Sequence, residues 1–429
     1  MIGDASRLWR SKLVDVKSRG IAATAMLVSR PRMSPGMADL RRHTGRHLVL
    51  FTAGTARACS DLLRNAAGLR LAVSSDFDGY ASGTCLGHGE GMLFERLGTA
   101  IVCGDADQLQ ALAVNTAAHG LVLEPERYVR ANTLASFPAS APLADTAFAT
   151  WGLRATRTLS CPYTGRGVRV AVLDTGIDPG HPDFAGRNLV LQSFVAGRPV
   201  DDANGHGTFC AGVACGPEQP ADSPRYGIAC AAELCIAKVL DDDAEGTDGN
   251  VLAGIDWAVR NDCAVVSLSV GSPVYVGDSY PQVYEQAAAR ALAAGSLLIA
   301  PAGNTSERPE TISPVDHPAN CPSVLSVGAV DQSFAVAPFS NGGINDNGGE
   351  VNLVAPGIAI VSAAPRPTLY QIGSGTSTAA PCVAGIAALL AEAQPAARGA
   401  ALRALLLATI LPLSSPVRDV GAGLVQAPL

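Results

Sequence analysis

Charge is scarce in this chain. Asp, Glu, Lys and Arg make up 16% of its 429 residues, against 48% hydrophobic, and so apolar a composition excludes extended disorder over most of the length. Long uninterrupted apolar runs are missing as well. The most apolar stretch, residues 401–411, contains Arg403, so the sequence predicts no membrane span. A secretory leader is also lacking, because the single apolar run near the start, residues 21–28, is brief and runs into Ser29-Arg30-Pro31-Arg32. A cytoplasmic protein is therefore expected, with export by an unrecognised route as the alternative; Met26, Met33 and Met37 could each begin a shorter chain. The eleven cysteines lack pattern. Their odd number and scatter exclude a small disulfide framework, and Cys210/Cys215 and Cys230/Cys235 do not have the tight spacing of a zinc knuckle. Buried, reduced thiols are expected.

What charge there is falls unevenly. Residues 1–46 hold ten Lys or Arg against three Asp, or +7, which leaves −14 for the rest of a chain whose net charge is −7. A solvated basic arm ahead of an acidic body is expected, with no nucleic-acid partner. Residues 47–132 then alternate as β-α-β-β-α-β, with strands at 47–51, 69–73, 99–103 and 121–124, helices at 56–67 and 105–118, and a turn-rich stretch up to Gly98. That is the pattern of a small α+β, ferredoxin-like unit. Residues 133–150 turn to Ala, Ser, Pro and Thr and read as an exposed linker. From 151 to 429, β-rich runs at 168–173, 234–240, 264–270, 296–301 and 324–330 alternate with helical stretches such as 250–260 and 284–294. This predicts an α/β fold with a mostly parallel central sheet, whose sites lie beyond the carboxyl ends of strands, where Asp174 and Asn304 fall.

Three short segments carry chemistry. Asp174-Thr175-Gly176, His206-Gly207-Thr208 and Gly375-Thr376-Ser377 set a carboxylate, an imidazole and a hydroxyl among small residues. Together they are the parts of a nucleophilic serine hydrolase, in the order Asp, His, Ser. Asp-Thr-Gly alone would equally suit an aspartic protease or a plain strand-end turn. The segment from Gly373 to Gly385 weighs more, since Ser377 there opens a helix that tolerates Pro381 near its start.

Over residues 151–427 these segments resemble the subtilisin-like serine proteases, together with Val-Leu-Asp-Thr-Gly-Ile-Asp, Pro-Ala-Gly-Asn at 301–304, Val-Ala-Pro-Gly at 354–357 and a closing Gly-Ala-Gly-Leu-Val. The resemblance implies a three-layer α/β fold and an Asp174–His206–Ser377 triad, with the Asn304 side-chain amide serving the oxyanion. It implies no cofactor for the chemistry; structural calcium is common in the family, but Pro217-Glu218-Gln219-Pro220-Ala221-Asp222 departs from the usual calcium loop and no ligand is assigned. Phe209, Pro301 and Cys382 depart from common family residues without removing a reacting atom, and Cys210 falls where some members carry a free thiol. Substrate is implied to lie between Ser269-Val270-Gly271 and the segment holding Asp243 and Glu245, with its P1 side chain beside Ala302 and Gly303 and above Asp316. A carboxylate there implies cleavage after Lys or Arg, and Asp241, Asp242 and Asp248 add acid nearby. Residues 47–132 resemble the family's inhibitory propeptide, which implies self-cleavage between Arg127 and Thr150, after Arg130 as first choice and Asn132 as second. Two alternatives stay open: a peptide-binding protein that keeps the fold without the chemistry, and a processing protease for one partner protein.

Overall fold

A computed structural model describes residues 43–52, 56–76, 86–131 and 144–429. Most of the basic arm and most of the 133–150 linker lie outside the described residues, as does Asn132.

The first unit runs β1 (His43–Phe51), α1 (Ala56–Ala67), β2 (Arg70–Val73), β3 (Glu90–Phe94), β4 (Thr99–Cys103), α2 (Ala106–His119) and β5 (Leu121–Ala131). Its sheet is ordered β5-β1-β4-β3-β2 and is antiparallel apart from the β2–β3 pair. Three features differ from the sequence expectation. Strand β1 starts at His43, β3 lies inside the stretch read as turns, and β5 continues to Ala131. Successive residues of a strand point to opposite faces, and here both faces are covered. Val49 and Phe51 pack on Leu63 of α1 and Leu112 of α2, whereas Leu48 and Leu50 join a core that includes Val251, Ile255 and Val283 of the second unit.

The second unit opens with α3 (Trp151–Ala155), β6 (Arg169–Asp174), β7 (Leu189–Ser193), α4 (His206–Cys215), β8 (Glu233–Lys238) and β9 (Glu245–Thr247). It continues through α5 (Asp248–Arg260), β10 (Val265–Leu268), β11 (Val270–Gly271), α6 (Gln282–Ala293), β12 (Leu297–Pro301), β13 (Leu325–Val330) and β14 (Leu353–Pro356). The hairpin β15 (Ile360–Ala364) and β16 (Leu369–Gly373) leads into α7 (Thr376–Ala393), and β17 (Ile410–Leu411) and β18 (Leu424–Val425) close the chain. The main sheet is ordered β17-β18-β14-β13-β12-β10-β6-β8-β7, parallel except at β17–β18. The chain leaves β6 toward β8 and β7 on one side and toward β10 and β12 on the other, so Asp174, at the carboxyl end of β6, stands at the switch point where crevices form.

Helix α7 corrects one reading of the sequence. By length and composition it is apolar enough to cross a membrane, with a mean hydropathy of 1.3 over 18 residues, but 89% of that window is buried. It is the core helix, packed on β10, β12, β13 and β14 and on α4. Among the described residues every cysteine is free.

Candidate active site

Strand β6 delivers Asp174 and the N-terminus of α4 delivers His206. The Nδ1 atom of His206 lies 2.8 and 2.9 Å from the two Asp174 carboxylate oxygens, and Thr175 N donates to Asp174 Oδ1 at 2.7 Å. Asp174 is fully buried and His206 nearly so. Burial acts to lower the basicity of the imidazole, but the Asp174 carboxylate outweighs it and holds the His206 pKa well above its ordinary value. With Nδ1 committed to Asp174, the tautomer that remains on deprotonation presents Nε2 as a lone-pair acceptor.

Ser377 is the second residue of α7, whose N-terminus is preceded by Gly375. Pro381, four residues on, has no N–H to give the Ser377 carbonyl. That carbonyl is met instead by the Cys210 thiol at 3.5 Å and the Ser269 hydroxyl at 3.4 Å, which ties the Ser377 backbone to α4 and to the residue before β11. Asn304 is oriented by its partners. Its Oδ1 accepts from both Thr376 N and Thr376 Oγ1 at 2.8 Å, which leaves the NH₂ directed into the cleft. A Cβ at Gly375 would stand 3.0 Å from Ser377 Oγ and 3.1 Å from Asn304 Nδ2, so hydroxyl and amide flank one small space that only glycine leaves open. Two of the buried polar atoms without a hydrogen-bond partner among the described residues are His206 Nε2 and Asn304 Nδ2. Stranded buried polar atoms cost stability, and Asn304 Nδ2 lies across Gly375 from the Ser377 hydroxyl.

A slot between β9 and β11 leads to that space, and strand β5 fills it. Tyr128, Val129 and Arg130 pair antiparallel with Thr247, Gly246 and Glu245, while Arg130 and Ala131 pair with Gly271 and Val270. Ala131 N donates to Ala244 O at 3.0 Å. Glu124 and Glu126 reach past the slot to cap two helices. Glu124 accepts from Gln282 N at 2.8 Å at the start of α6, and Glu126 from Gly249 N at 2.9 Å at the start of α5, both favourable sites for a carboxylate. Glu126 is fully buried and also takes Arg46 Nε at 2.6 Å.

The structure sorts the acids expected along this cleft. Glu245 pairs with Arg130, and Asp243 is exposed beside it. Asp241 Oδ1 instead builds the turn by accepting from Asp243 N and Glu245 N. Asp242 binds the buried Lys238 Nζ at 2.8 Å, and Asp248 is buried, accepting from Arg127 N at 2.9 Å with His317 Nε2 at 3.2 Å. These acids do not form one electrostatic wall. Asp316 is buried against Gly303, where a Cβ would come within 2.5 Å of its Oδ2. Its other oxygen accepts from Asn341 Nδ2 at 3.3 Å, and burial pushes its carboxyl well above the usual range. Ala302 N bonds Val327 O and Ala302 O accepts from Asp316 N, each at 2.9 Å, so Ala302, Gly303 and Asp316 do meet. Sequence reasoning passed over Asn341. Its Oδ1 accepts from Thr305 and Ser306, which fixes its NH₂ toward Asp316; no local motif announces it.

A profile described as the subtilase family, Peptidase S8, matches residues 165–423. The chain belongs to the subtilases. Subtilisin BL of Lederbergia lenta is 38% identical over 265 residues, 62% of this chain and 90% of that protein. Subtilisin E of Bacillus subtilis strain 168 is 37% identical over 243 residues, 56% of this chain and 60% of that protein. The crystal structure of fervidolysin from Fervidobacterium pennivorans, a keratinolytic enzyme related to subtilisin, aligns with a TM-score of 0.68 at 21% identity, over 91% of this chain and 61% of the other. That likeness is one of fold.

This subtilase is thus a serine endopeptidase, and two further features bear on its chemistry. Cys210 Sγ lies 3.8 Å from His206 Nδ1, but burial raises its pKa, against the opposing pull of His206, and keeps it a thiol. Its sulfur, His206 and Asp174 form a cluster that could hold a metal ion, though the His206 atom in reach is already engaged by Asp174. Next to residues 217–222 stands a buried carboxylate, Asp183. Both oxygens of the buried Asp183 are taken by donors: Ala221 N at 2.8 Å and Tyr370 OH at 3.1 Å on one, Tyr226 OH at 2.6 Å on the other. Tyr370 OH in turn accepts from Asp222 N at 3.2 Å.

Proposed function

We propose that Ser377 attacks the scissile carbonyl while His206 Nε2 takes its proton and later returns it to the leaving amine. Asp174 holds the imidazole and stabilises the imidazolium. Asn304 Nδ2 donates to the oxyanion of the tetrahedral intermediate. The observations that carry this reading are the Asp174–His206 Nδ1 contact, which leaves the buried His206 Nε2 unpartnered, and the unpartnered Asn304 Nδ2 that shares the space over Gly375 with the Ser377 hydroxyl. A fold kept only to bind peptide has no reason to strand both. Covalent labelling of Ser377 by a fluorophosphonate, lost in Ser377→Ala, tests it.

The first unit acts on this reading as an inhibitory prodomain, residues 47–132 with the strand start at His43 included, and residues 133–150 as the region to be cut. Support comes from the slot: 128–131 pair there on both sides as an extended substrate would. The same register favours the second of the two candidate bonds. Arg130 stands opposite Gly271 and Ala131 opposite Val270, and one more step reaches Ser269, whose hydroxyl touches the Ser377 carbonyl. We take from that register that the bond presented for cleavage follows the next residue of the chain, two beyond Arg130. Cleavage after Asn132 is proposed, with Arg130 serving as P3 against Glu245. Intact masses of wild type and Ser377→Ala after incubation at neutral pH decide it: a wild-type fragment ending at Asn132 is expected, one ending at Arg130 would reverse the choice, and an uncut wild type would remove self-processing.

Substrates are proteins or peptides, and Lys or Arg at P1 remains the preference proposed from Asp316. Because that carboxyl is buried and protonated more readily than usual, it discriminates best when the pH is high enough to ionise it or when an entering cation does so.

A further inference from the structure

The first turn of α4 has three backbone N–H groups with no partner inside the helix, a deficit common to helix starts. Here three side chains from outside the helix fill it: Asn204 Oδ1 accepts from His206 N at 3.3 Å, Thr175 Oγ1 from Gly207 N at 2.8 Å, and Asp202 Oδ2 from Thr208 N at 2.8 Å. Asp202 goes further. Its Oδ2 also accepts from Thr208 Oγ1 at 2.6 Å, and its Oδ1 accepts from Gly205 N at 2.7 Å and from Thr175 Oγ1 at 2.8 Å. Its own N–H is bound to Ile177 O at 3.1 Å. The carboxylate is buried and engages four donors, a set no neutral side chain of this size can satisfy, since an amide has a single acceptor oxygen.

One of those donors, Thr175 Oγ1, sits on the turn that follows Asp174, and the other three lie at the start of the helix that carries His206. Thr175 is the residue whose N–H holds Asp174 Oδ1, and its hydroxyl at once accepts from Gly207 N and donates to Asp202. Gly207 is pressed so closely on this turn that a Cβ there would come 2.2 Å from Gly176 O. The turn and the helix therefore meet along one seam, and Asp202 is the group that bonds to both sides of it.

We infer that Asp202 is a positioning residue for the reaction: it clamps the Asp174 turn to the first turn of α4 and so sets the 2.8 and 2.9 Å contacts between Asp174 and His206 Nδ1. It touches neither substrate nor the reacting atoms and acts through the Asp174–His206 pair. Geometry of this kind matters because small misplacement of a catalytic group costs rate steeply. Nothing in the segment Asp-Asp-Ala-Asn-Gly-His marks the second aspartate for this role; the signal lies in its four partners.

The inference rests on the proposed triad, and its test separates the two. Asp202→Asn keeps the shape and inverts one side of the hydrogen bonding; Thr175→Val removes the hydroxyl that joins the seam and leaves Asp202 in place. Steady-state kinetics on a fluorogenic peptide, in the wild-type and Asp174→Asn backgrounds, should show kcat falling at least tenfold for each variant with KM within about twofold, and no further loss in Asp174→Asn, because groups acting as one unit are not additive. A merely structural residue would lower stability and the yield of active sites titrated by a fluorophosphonate, without that coupling. Unchanged kcat per titrated site, or a full extra loss in Asp174→Asn, would overturn the clamp while leaving the triad intact. If Asp202→Asn fails to fold, Thr175→Val decides between the same outcomes through the same two measurements. A wild type that hydrolyses nothing would sink the triad and the clamp with it.

Discussion

Asp174 and Asp316 are two carboxylates of one cleft, and both are buried. At the reaction centre Asp174 has a backbone donor and an imidazole in contact with both of its oxygens. Beside Gly303, Asp316 has one amide donor, Asn341 Nδ2 at 3.3 Å, and no ion-pair partner among the described residues. The imidazole next to Asp174 is made more basic, while Asp316 itself is driven toward its neutral form. Burial is common to the two acids, and the outcome follows from what was buried with them. On the proposed roles, the acid that stabilises a transient cation is given that cation's carrier, while the acid that meets an incoming side chain is left to wait for it.

The same substitution at the two positions breaks the comparison most sharply. Asp174→Asn should lower kcat by about 10⁴-fold for every peptide, a magnitude known from such enzymes including subtilisin, a relative of this chain. Asp316→Asn should leave turnover of a Gln-P1 peptide nearly unchanged and lower kcat/KM for its Arg-P1 counterpart by about 10- to 100-fold, the worth of a charge-assisted hydrogen bond. Equal losses at both P1 residues would refute the pocket assignment. A pH series sharpens the contrast. His206 must be neutral to accept a proton, so its raised pKa shifts the acid limb of kcat/KM to higher pH, above 6.5, for all substrates. Asp316 must be ionised to favour a cation, so the Arg-to-Gln ratio should climb with pH in wild type and stay flat in Asp316→Asn.

Such pairs of residues show what a sequence can carry. Asp174, His206, Ser377 and Asn304 were legible because each sits in a short run of small residues at the end of a strand or the start of a helix, where backbone must approach closely. The tail of β5 was not. Glu124, Glu126 and Arg130 break the apolar alternation that marks a strand, and the reason is more than a hundred residues away in the chain: two helix starts and Glu245. Strand β3 was hidden for a simpler cause, since Gly91 interrupts a short run flanked by turns. The sequence offered Arg130 as a P1 residue; its pairing opposite Gly271, which no composition reveals, is what the proposed cleavage after Asn132 rests on.

The smallest expected effect concerns calcium, and it returns to what surrounds a buried acid. Asp183 is a third buried carboxylate, neither catalytic nor waiting, and its oxygens are filled by the Tyr226 and Tyr370 hydroxyls and the Ala221 N–H. If those donors hold the 217–222 segment in place of a metal, chelation has nothing to remove. Melting of Ser377→Ala, which cannot digest itself, should then be the same in EGTA as in millimolar calcium. Tyr226→Phe, which withdraws the shortest of these bonds from a buried acceptor, should cost about 1–3 kcal/mol and should not be rescued by calcium. A melting temperature that rises with calcium in Ser377→Ala would show that a cation is bound after all, and rescue of Tyr226→Phe alone would show that the tyrosine occupies a position a cation can take over.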